Sequence, residues 1–217
     1  MARARWLERG FAAPIAGAVG SLAAERGAGS PVLDIGCGDG FFLAALAAGR
    51  GFAASQCAGV DLSAEAIRRA ARRMPGALWL VSNADRGLPF ADGTFGLVLS
   101  LFGRRPAPEI ARVLRPGGCL IAAVPGSDDL GELRAAVMGA AKPLPGAATL
   151  EQDLGGAFDT VASRSLRWGA RLDREAITDA LAMTYRGARN KVRQRAAKLD
   201  GLDVALSAEI GVFAPRV

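Results

Sequence analysis

Short apolar runs alternate with amphipathic segments along this chain, and turns rich in glycine and proline separate them. Apolar runs bounded by turn residues predict buried strands, whereas apolar side chains three or four positions apart predict helices. We predict strands over residues 31–35, 57–61, 77–82, 96–100, 119–124, 160–172 and 202–213. We predict helices over residues 41–48, 64–73, 108–114, 130–141, 173–183 and 190–199.

This alternation of strands and helices is typical of an α/β fold with a mostly parallel sheet. We predict a doubly wound, Rossmann-like sheet of seven strands, whose last strand joins the edge in the antiparallel direction. Residues 2–26 repeat apolar side chains at helical spacing, which predicts a helical lead-in. Because no repeat or low-complexity linker follows, we expect this lead-in over residues 1–30 and one domain over residues 31–217.

The segment 31–40, Pro-Val-Leu-Asp-Ile-Gly-Cys-Gly-Asp-Gly, joins a predicted strand directly to a glycine turn, and an apolar helix follows from Phe41. Glycines lack a Cβ, so a ligand can approach the main chain at the N-terminus of that helix. The second predicted strand ends at Asp61, about 20 residues further on, where a carboxylate can accept hydrogen bonds from both ribose hydroxyls. This order of elements predicts a nucleoside site.

Composition narrows the chemistry. The 217 residues contain no histidine, which excludes Ser-His-Asp and Cys-His catalysis and histidine-based metal sites. Cys37, Cys57 and Cys119 form no C-x-x-C pair, so we expect no disulfide framework and no metal. The sequence has no apolar run of membrane-spanning length and no signal-peptide core, so we expect a cytoplasmic protein without a membrane partner.

The net charge of +6 favours a polyanionic partner such as nucleic acid, although a GC-rich coding sequence would also enrich arginine without one. Basic residues cluster on and before the last predicted helix, and this cluster is either an RNA-binding surface or a charged face in solvent. Its members are Arg186, Arg189, Lys191, Arg193, Arg195 and Lys198.

The glycine turn has the form G-x-G-x-G, with Asp34 two residues before it, and resembles motif I of the class I S-adenosylmethionine (SAM) methyltransferases. The segments 81–95 and 111–118 resemble the stretches of those enzymes that follow strand three and precede strand five. Together the matches cover about residues 30–125. The resemblance implies SAM as cofactor and direct in-line transfer of its methyl group.

The resemblance also implies the cofactor contacts. Asp34 steers the methionine end of SAM or only ties down the glycine turn, and Asp61 binds the ribose. Asn83 contacts the adenine, with Asp85 as the competing candidate, while Cys37 is more typical of a small packing residue than of a nucleophile. The complete set is Asp34, Gly36, Cys37, Gly38, Gly40, Asp61, Leu62, Asn83, Ala84, Asp85 and Ser100.

A narrower resemblance, over nearly the whole chain, is to the bacterial 23S rRNA (guanine-N1)-methyltransferases. The lead-in 2–14, the stretch 101–114 and the stretch 124–133 carry it. Two features differ from the family. The chain has no ligands for a cysteine-rich zinc module, and the Met-Thr-Pro motif of the family reads Met-Thr-Tyr-Arg at residues 183–186.

This resemblance implies methylation of a guanine in rRNA. The two differences keep a second function open, a methyltransferase for a small molecule such as a natural product. A SAM-binding protein without turnover, acting as an RNA-binding or regulatory module, is the third. The substrate-facing candidates are Ser100, Leu101, Phe102 and Tyr185.

Two of the candidate substrate contacts have structural alternatives. Phe102 either stacks on a planar substrate or packs in the core. Arg104 and Arg105 either contact phosphates or lie in a solvated loop.

Overall fold

The computed structural model describes residues 2–27, 29–49, 51–183 and 190–216. Helices in these ranges are α1 Ala2–Glu8, α2 Ala13–Gly27, α3 Phe41–Gly49, α4 Ala64–Arg73, α5 Ala107–Val113, α6 Gly131–Met138, α7 Ala148–Leu154, α8 Arg174–Ala182 and α9 Asn190–Ala196. The strands are β1 Val32–Ile35, β2 Cys57–Asp61, β3 Leu78–Val81, β4 Phe95–Leu101, β5 Leu114–Pro125, β6 Phe158–Asp173 and β7 Gly201–Pro215.

The seven strands form one sheet in the order β3-β2-β1-β4-β5-β7-β6. Strands β1 to β5 pair in parallel, and the last strands are antiparallel. The predicted Rossmann-like fold is therefore confirmed. The edge position predicted for the last strand was wrong, because β7 lies between β5 and β6 and the edge strand is β6. The strand order reverses between β1 and β4, which makes the carboxyl ends of these strands the expected position for a ligand.

The central strands are buried on both faces. Every residue of β1 and of β4 is buried, which is typical of parallel strands covered by helices on each side. The main apolar cluster joins side chains of β1, β4 and β5, among them Leu33, Val98 and Leu120, to Leu154 of α7 and Phe213 of β7. This core holds the carboxyl ends of β1, β2 and β4 in place.

Several predicted boundaries were wrong. The lead-in is divided into α1 and α2 rather than forming one helix. Helix α7 was not predicted, although Leu150 and Leu154 bury one side of it. Strand β5 begins at Leu114 because that residue pairs with Phe95, whereas the turn sequence Arg-Pro-Gly-Gly had suggested a start at 119. The predicted helix start at 173 agrees with the structure, where the Asp173 carboxylate caps α8 by accepting from Ala176 N–H at 2.8 Å.

The chain divides into two units, which we describe separately. Unit 1 comprises Met1–Ile15, Pro125–Gly146 and Ser165–Ala208. Its helix α1 is joined to α8 by charged side chains, because Arg5 pairs with the buried Asp179 and Arg9 with Asp173 at 2.6 Å. Trp168 donates from Nε1 to the carbonyl of Phe11 at 3.2 Å.

Unit 2 comprises Ala16–Val124, Ala147–Arg164 and Glu209–Val217, and it contains β1 to β4 with the whole of the main apolar cluster. The predicted lead-in over 1–30 and domain over 31–217 stay predictions. Among the helices that the structure describes, none has both the length and the apolar character needed to cross a membrane.

Candidate functional site

The glycine turn after β1 has a backbone that glycine alone adopts easily. Gly36, Gly38 and Gly40 have φ of +73°, +58° and +75°, in the left-handed region. The N–H groups of Gly36 and Cys37 both donate to the carbonyl of Val60, at 2.8 and 3.1 Å. The turn is therefore anchored on β2, and its three glycines are required by their backbone conformation.

Asp61, the last residue of β2, connects this turn to the start of α4. Its Oδ2 accepts from Gly38 N–H at 2.9 Å, and its Oδ1 accepts from Ser63 N–H at 2.8 Å. Ser63 caps α4 by accepting from Ala66 N–H. A carboxylate has about four lone-pair sites, so Asp61 retains capacity for two further donors.

Apolar side chains lie exposed next to Asp61. Leu62 follows it in the chain and is 71% exposed, and Val81, which pairs with Asp61 in the sheet register, is 54% exposed. Exposed apolar side chains that lie next to each other and beside a polar group can mark a ligand-binding surface. The carboxylate and the two apolar side chains together form a surface that suits a nucleoside.

Two further side chains hold the glycine turn, and sequence analysis did not identify either role. Arg73 of α4 donates to the carboxylate of Asp39 at 2.7 Å and to its carbonyl at 3.1 Å. Trp79 of β3 lies against Gly40, where an added Cβ would be 2.7 Å from its ring, and also against Gly59. These partners are 34 and 39 residues from the turn, so spacing gave no signal for them.

The loop after β4 lies directly on the glycine turn. An added Cβ on Gly103 would be 3.2 Å from the carbonyl oxygen of Ile35 and 3.7 Å from the Cα of Gly36. Ser100 is fully buried and donates from its hydroxyl to the carbonyl of Arg104 at 3.0 Å, which fixes the loop. The structure thus brings the ends of β1 and β4 together, as the predicted site requires.

Among the three substrate-facing candidates on this loop, Phe102 is the least buried. Leu101 is in the core, and Ser100 is used to hold the loop. Phe102 has φ of +61°, uncommon for a residue with a side chain, and its N–H donates to Ala123 O at 2.9 Å. Such conformations are held by surrounding contacts and concentrate at functional sites.

Arg104 and Arg105, predicted as a pair, have different environments. The guanidinium of Arg105 is 9% exposed, and it donates to Asp153 and to the carbonyl of Gly103. Its geometry therefore supports a structural role rather than contact with a phosphate. The side chain of Arg104 is 79% exposed and donates from Nε to the carboxylate of Asp85 at 2.9 Å.

The adenine candidates lie in the turn after β3. The side-chain oxygen of Asn83 accepts from Asp85 N–H at 3.1 Å and caps a short 3₁₀ turn, Ala84–Arg86. The loop that follows is fastened by α5. Glu109 accepts from Leu88 N–H at 2.6 Å, and Arg112 donates to the carbonyls of Leu88 and Phe90.

Asp34 and Cys37 are both buried. Asp34 is 1% exposed in β1, and its negative charge is the second cause, after burial, that raises the pKa of Cys57 to about 11. The thiol of Cys37 lies near the place where a Cβ on Gly59 would point, beside the Trp79 ring. This position matches the packing role expected for Cys37.

The predicted residues Tyr185, Arg186 and Arg189 lie outside the described residues. Lys191, Arg193 and Arg195 are exposed on α9 in unit 1. Over the described ranges, no three His, Cys, Asp or Glu side chains are grouped so that they could hold a metal ion.

The sheet order and the glycine turn joined to Asp61 define a class I SAM-dependent methyltransferase. Residues 32–118 match the sequence family described as methyltransferase domain. A SAM-dependent methyltransferase from Thiobacillus denitrificans, solved with S-adenosylhomocysteine, shares the fold. Its TM-score is 0.56 at 18% identity, over 93% of this chain and 90% of that one.

A more similar relative defines the family more narrowly. The chain is 34% identical to the 23S rRNA (guanine(748)-N(1))-methyltransferase of Streptomyces fradiae, over 99% of this chain and 78% of the relative. The chain therefore belongs to the 23S rRNA (guanine-N1)-methyltransferase family. It is also 39% identical to the demethylmenaquinone methyltransferase of Beutenbergia cavernae, over 44% of this chain and 40% of that enzyme.

Proposed function

We propose that this enzyme transfers the methyl group of SAM to N1 of a guanine in 23S rRNA. The observation that carries the proposal is the similarity to the Streptomyces fradiae enzyme, which extends over 99% of the chain. Similarity of that extent includes the segments outside the cofactor site, where the acceptor is selected. A match limited to the cofactor site would support the cofactor alone.

The residues at the ends of β1 and β2 fit SAM. The turn 36–40 offers main-chain N–H groups without a Cβ, and Asp61 has lone pairs for the two ribose hydroxyls. Leu62 and Val81 would cover the adenine, which accounts for their exposure. Asn83 and Ala84 lie where the adenine edge would meet the turn after β3.

The cofactor supplies a methyl group that is already activated by the positive sulfur, so the protein has mainly to align the acceptor. Phe102 and the loop after β4 are on the acceptor side, held against the glycine turn by Gly103. In-line transfer needs the guanine nitrogen about 3–3.5 Å from the methyl carbon. The chain has no histidine, so a carboxylate, a main-chain carbonyl or water receives the N1 proton.

The RNA would contact the surface formed by Lys191, Arg193, Arg195 and Lys198, which we call the α9 face. Most arginines of the described chain pair with a carboxylate, but none of these four cations has a carboxylate within ion-pair distance among the described residues. An open depression of ≈ 720 Å³ is lined by three of them, Lys191, Arg195 and Lys198. Unneutralised cations of this kind favour phosphate oxygens.

A small-molecule methyltransferase is the second candidate, and the demethylmenaquinone enzyme of Beutenbergia cavernae favours it. Its similarity is confined to 44% of the chain, so it supports the shared cofactor site more than a shared acceptor. A SAM-binding protein without turnover is the third candidate function. It stays open because the glycine turn and Asp61 would bind SAM whether or not the methyl group is transferred.

Incubation with methyl-labelled SAM separates the three functions. The protein is given total RNA or a metabolite extract, and labelled RNA is digested to nucleosides. We expect label in 23S rRNA as 1-methylguanosine, and none with the variant Asp61→Ala. Label only in small molecules would replace the first candidate by the second. SAM binding without transfer to either pool would support the third.

A further inference from the structure

We propose that Arg73 is a positioning residue for SAM: its ion pair with Asp39 keeps the glycine turn in the form that accepts the cofactor. Asp39 lies between Gly38 and Gly40, in the middle of the turn that contacts the ligand. The proposal rests on the SAM site and is independent of the methyl acceptor.

Three consecutive residues of the turn are each held by a different element. Gly38 donates its N–H to Asp61 at the end of β2, at 2.9 Å. Asp39 accepts from Arg73 at the end of α4, at 2.7 Å, and Gly40 packs on Trp79 of β3. Of these three restraints, the pair formed by Arg73 and Asp39 is the only one in which two opposite charges meet.

The Asp39 carboxylate depends on Arg73 because it is buried. Asp39 is 8% exposed, and a carboxylate so far from water is costly unless a charged partner compensates it. Without Arg73, the least costly response is a movement of the turn that returns the carboxylate to solvent. Such a movement displaces Gly38 and Gly40, the residues on either side, and so changes the surface that receives SAM.

Arg73 makes two further contacts that hold its guanidinium at the glycine turn. Its Nε donates to the main-chain carbonyl of Asp39 at 3.1 Å, so the arginine fixes the backbone of the turn as well as the side chain. Its guanidinium carbon is 6.0 Å from the ring centroid of Phe41, the first residue of α3. A single side chain of α4 thus contacts both the turn and the start of the helix that follows it.

The remaining arginines of α4 provide a comparison. Arg68 and Arg69 pair with Glu65 on their own helix, at 2.9 and 3.2 Å. Arg72 is exposed, and no ion pair with a carboxylate is recorded for it within the described ranges. Arg72 and Arg73 have the same charge on adjacent helix positions, so Arg72→Met is a matched control for Arg73→Met.

The test measures S-adenosylhomocysteine affinity by calorimetry on the full chain, together with the melting temperature and the kinetics. We expect Arg73→Met to weaken binding about tenfold or more, and Arg72→Met to change it less than about twofold. Arg73→Lys keeps a charge near Asp39 and restores part of the affinity. With saturating acceptor, Arg73→Met raises KM for SAM more than it lowers kcat.

Asp39→Asn provides a second route if Arg73→Met does not fold, because it removes the pair without leaving a buried charge. It also weakens binding, and the double variant Asp39→Asn/Arg73→Met binds no more weakly than Arg73→Met alone. If these variants lower the melting temperature but bind S-adenosylhomocysteine as Arg72→Met does, the pair is only structural and the proposal is wrong. If the wild-type chain itself did not bind S-adenosylhomocysteine, the SAM site would be wrong, and not only the role of Arg73.

Discussion

The main-chain N–H of Gly38 donates to Oδ2 of Asp61 at 2.9 Å, so the glycine turn and the acid of the site are joined directly. We expect this carboxylate to have two functions. It holds the turn in place through one oxygen, and its remaining lone pairs are available for the ribose of the proposed cofactor. A site that is fixed in this way loses less conformational entropy when the ligand binds.

Replacing Asp61 with Ala removes both functions, so we expect the largest loss of cofactor affinity from any single substitution in the turn region. Two ribose hydrogen bonds to a charged acceptor contribute about 1.5–3 kcal/mol each, which predicts a loss of roughly 100-fold or more. Calorimetry with S-adenosylhomocysteine measures it. Asp159→Ala, which removes an exposed acid paired with Arg216, should bind like the wild type. Unchanged binding by Asp61→Ala would remove the main support for the site.

Gly59 and Trp79 form a pair in which the glycine is required by the ring. A Cβ on Gly59 would overlap the indole and lie 2.9 Å from Cys37 Sγ, so Gly59→Ala should lower the free energy of unfolding by about 1–3 kcal/mol. The double variant Gly59→Ala/Trp79→Leu should lose less than the sum of the single variants, since the methyl group then has space. Urea denaturation measures all three.

Gly17→Ala is the control for this prediction. Gly17 is inside α2, and an added Cβ there meets nothing within 4 Å. The same chemical change should therefore stabilise the protein by about 0.5–1 kcal/mol through helix propensity. If Gly59→Ala behaved like Gly17→Ala, the ring would not be in contact with Gly59 in solution.

The sequence predicted the parts of this protein that are local. The strand 31–35, the glycine turn and the acid at Asp61 are recognisable because their signals lie within a few residues, and the mostly parallel sheet follows from the alternation of strands and helices. Helix α7 was missed because it is short. Its apolar side is formed by Leu150 and Leu154, and a pair of leucines is too little to establish a helical period.

The contacts that complete the site are long-range, and no periodicity reveals them. The sequence left Arg105 either as a phosphate contact or in a solvated loop, because its partner, Asp153, lies 48 residues away, on a helix that was not predicted. Nothing in the sequence distinguishes Arg73 from the other arginines of α4, because its proposed function depends on how that helix packs against the turn. Charge patterns in the sequence therefore located the basic clusters but did not show which of these side chains pair with a carboxylate.

Glu109 should stabilise the loop after β3 at neutral pH and lose this effect in acid. Hydrogen bonds from Arg112 and from Leu88 N–H lower the pKa of Glu109 to about 2. Because this folded-state pKa is below the ordinary value of 4.5, its contribution to stability is present above about pH 4.5 and is lost as pH falls through 2. Side-chain exposure reduces the effect to about 1–2 kcal/mol.

Glu109→Gln provides the comparison, since its amide oxygen can still accept from Leu88 N–H. The variant should be less stable than the wild type at pH 7, and the difference should shrink as pH falls from 4.5 toward 2. Urea denaturation at several pH values measures the difference. A difference that stayed constant over this range would show that Glu109 titrates normally.

Asp129 should have the opposite pH dependence. Burial raises its pKa to about 6, with a smaller contribution from Asp128, against the effects of Ser207 N–H and Arg134. Because the folded pKa is above the ordinary value of 3.8, the contribution to stability is fully present below about 3.8 and is lost as pH rises through 6. At pH 7 the ionised, partly buried carboxylate lowers the free energy of unfolding.

Asp129→Asn keeps an oxygen for Ser207 N–H and removes the charge. We expect the free energy of unfolding of the variant to exceed that of the wild type by about 1–3 kcal/mol at pH 7. This difference should disappear toward pH 4. Asp128→Asn is the control, because hydrogen bonds from Ser207 and Arg167 lower the pKa of Asp128. Asp128→Asn should therefore lower the free energy of unfolding at pH 7. A wild-type stability that is flat from pH 4 to 7 would contradict the prediction for Asp129.

The α9 face gives the test of the RNA-binding surface. If RNA is the partner, replacing Lys191, Arg193 and Arg195 with Ala should weaken RNA binding and flatten its salt dependence. Each lost phosphate contact should lower the log–log slope by about one unit. Binding of labelled rRNA, measured from low to moderate salt, gives both quantities. S-adenosylhomocysteine affinity should not change, because none of the residues proposed to bind the cofactor belongs to α9.

A triple variant with the same change in charge is the control. Arg72, Arg86 and Arg164 are exposed in unit 2, and their replacement with Ala lowers the net charge by the same amount as the substitutions in α9. If both variants lose affinity equally, the protein's net charge steers the RNA and α9 has no special part. Size-exclusion chromatography must accompany the assay, since α9 could instead contact a second subunit. Unchanged affinity and salt slope in the folded α9 variant would place the RNA on another surface.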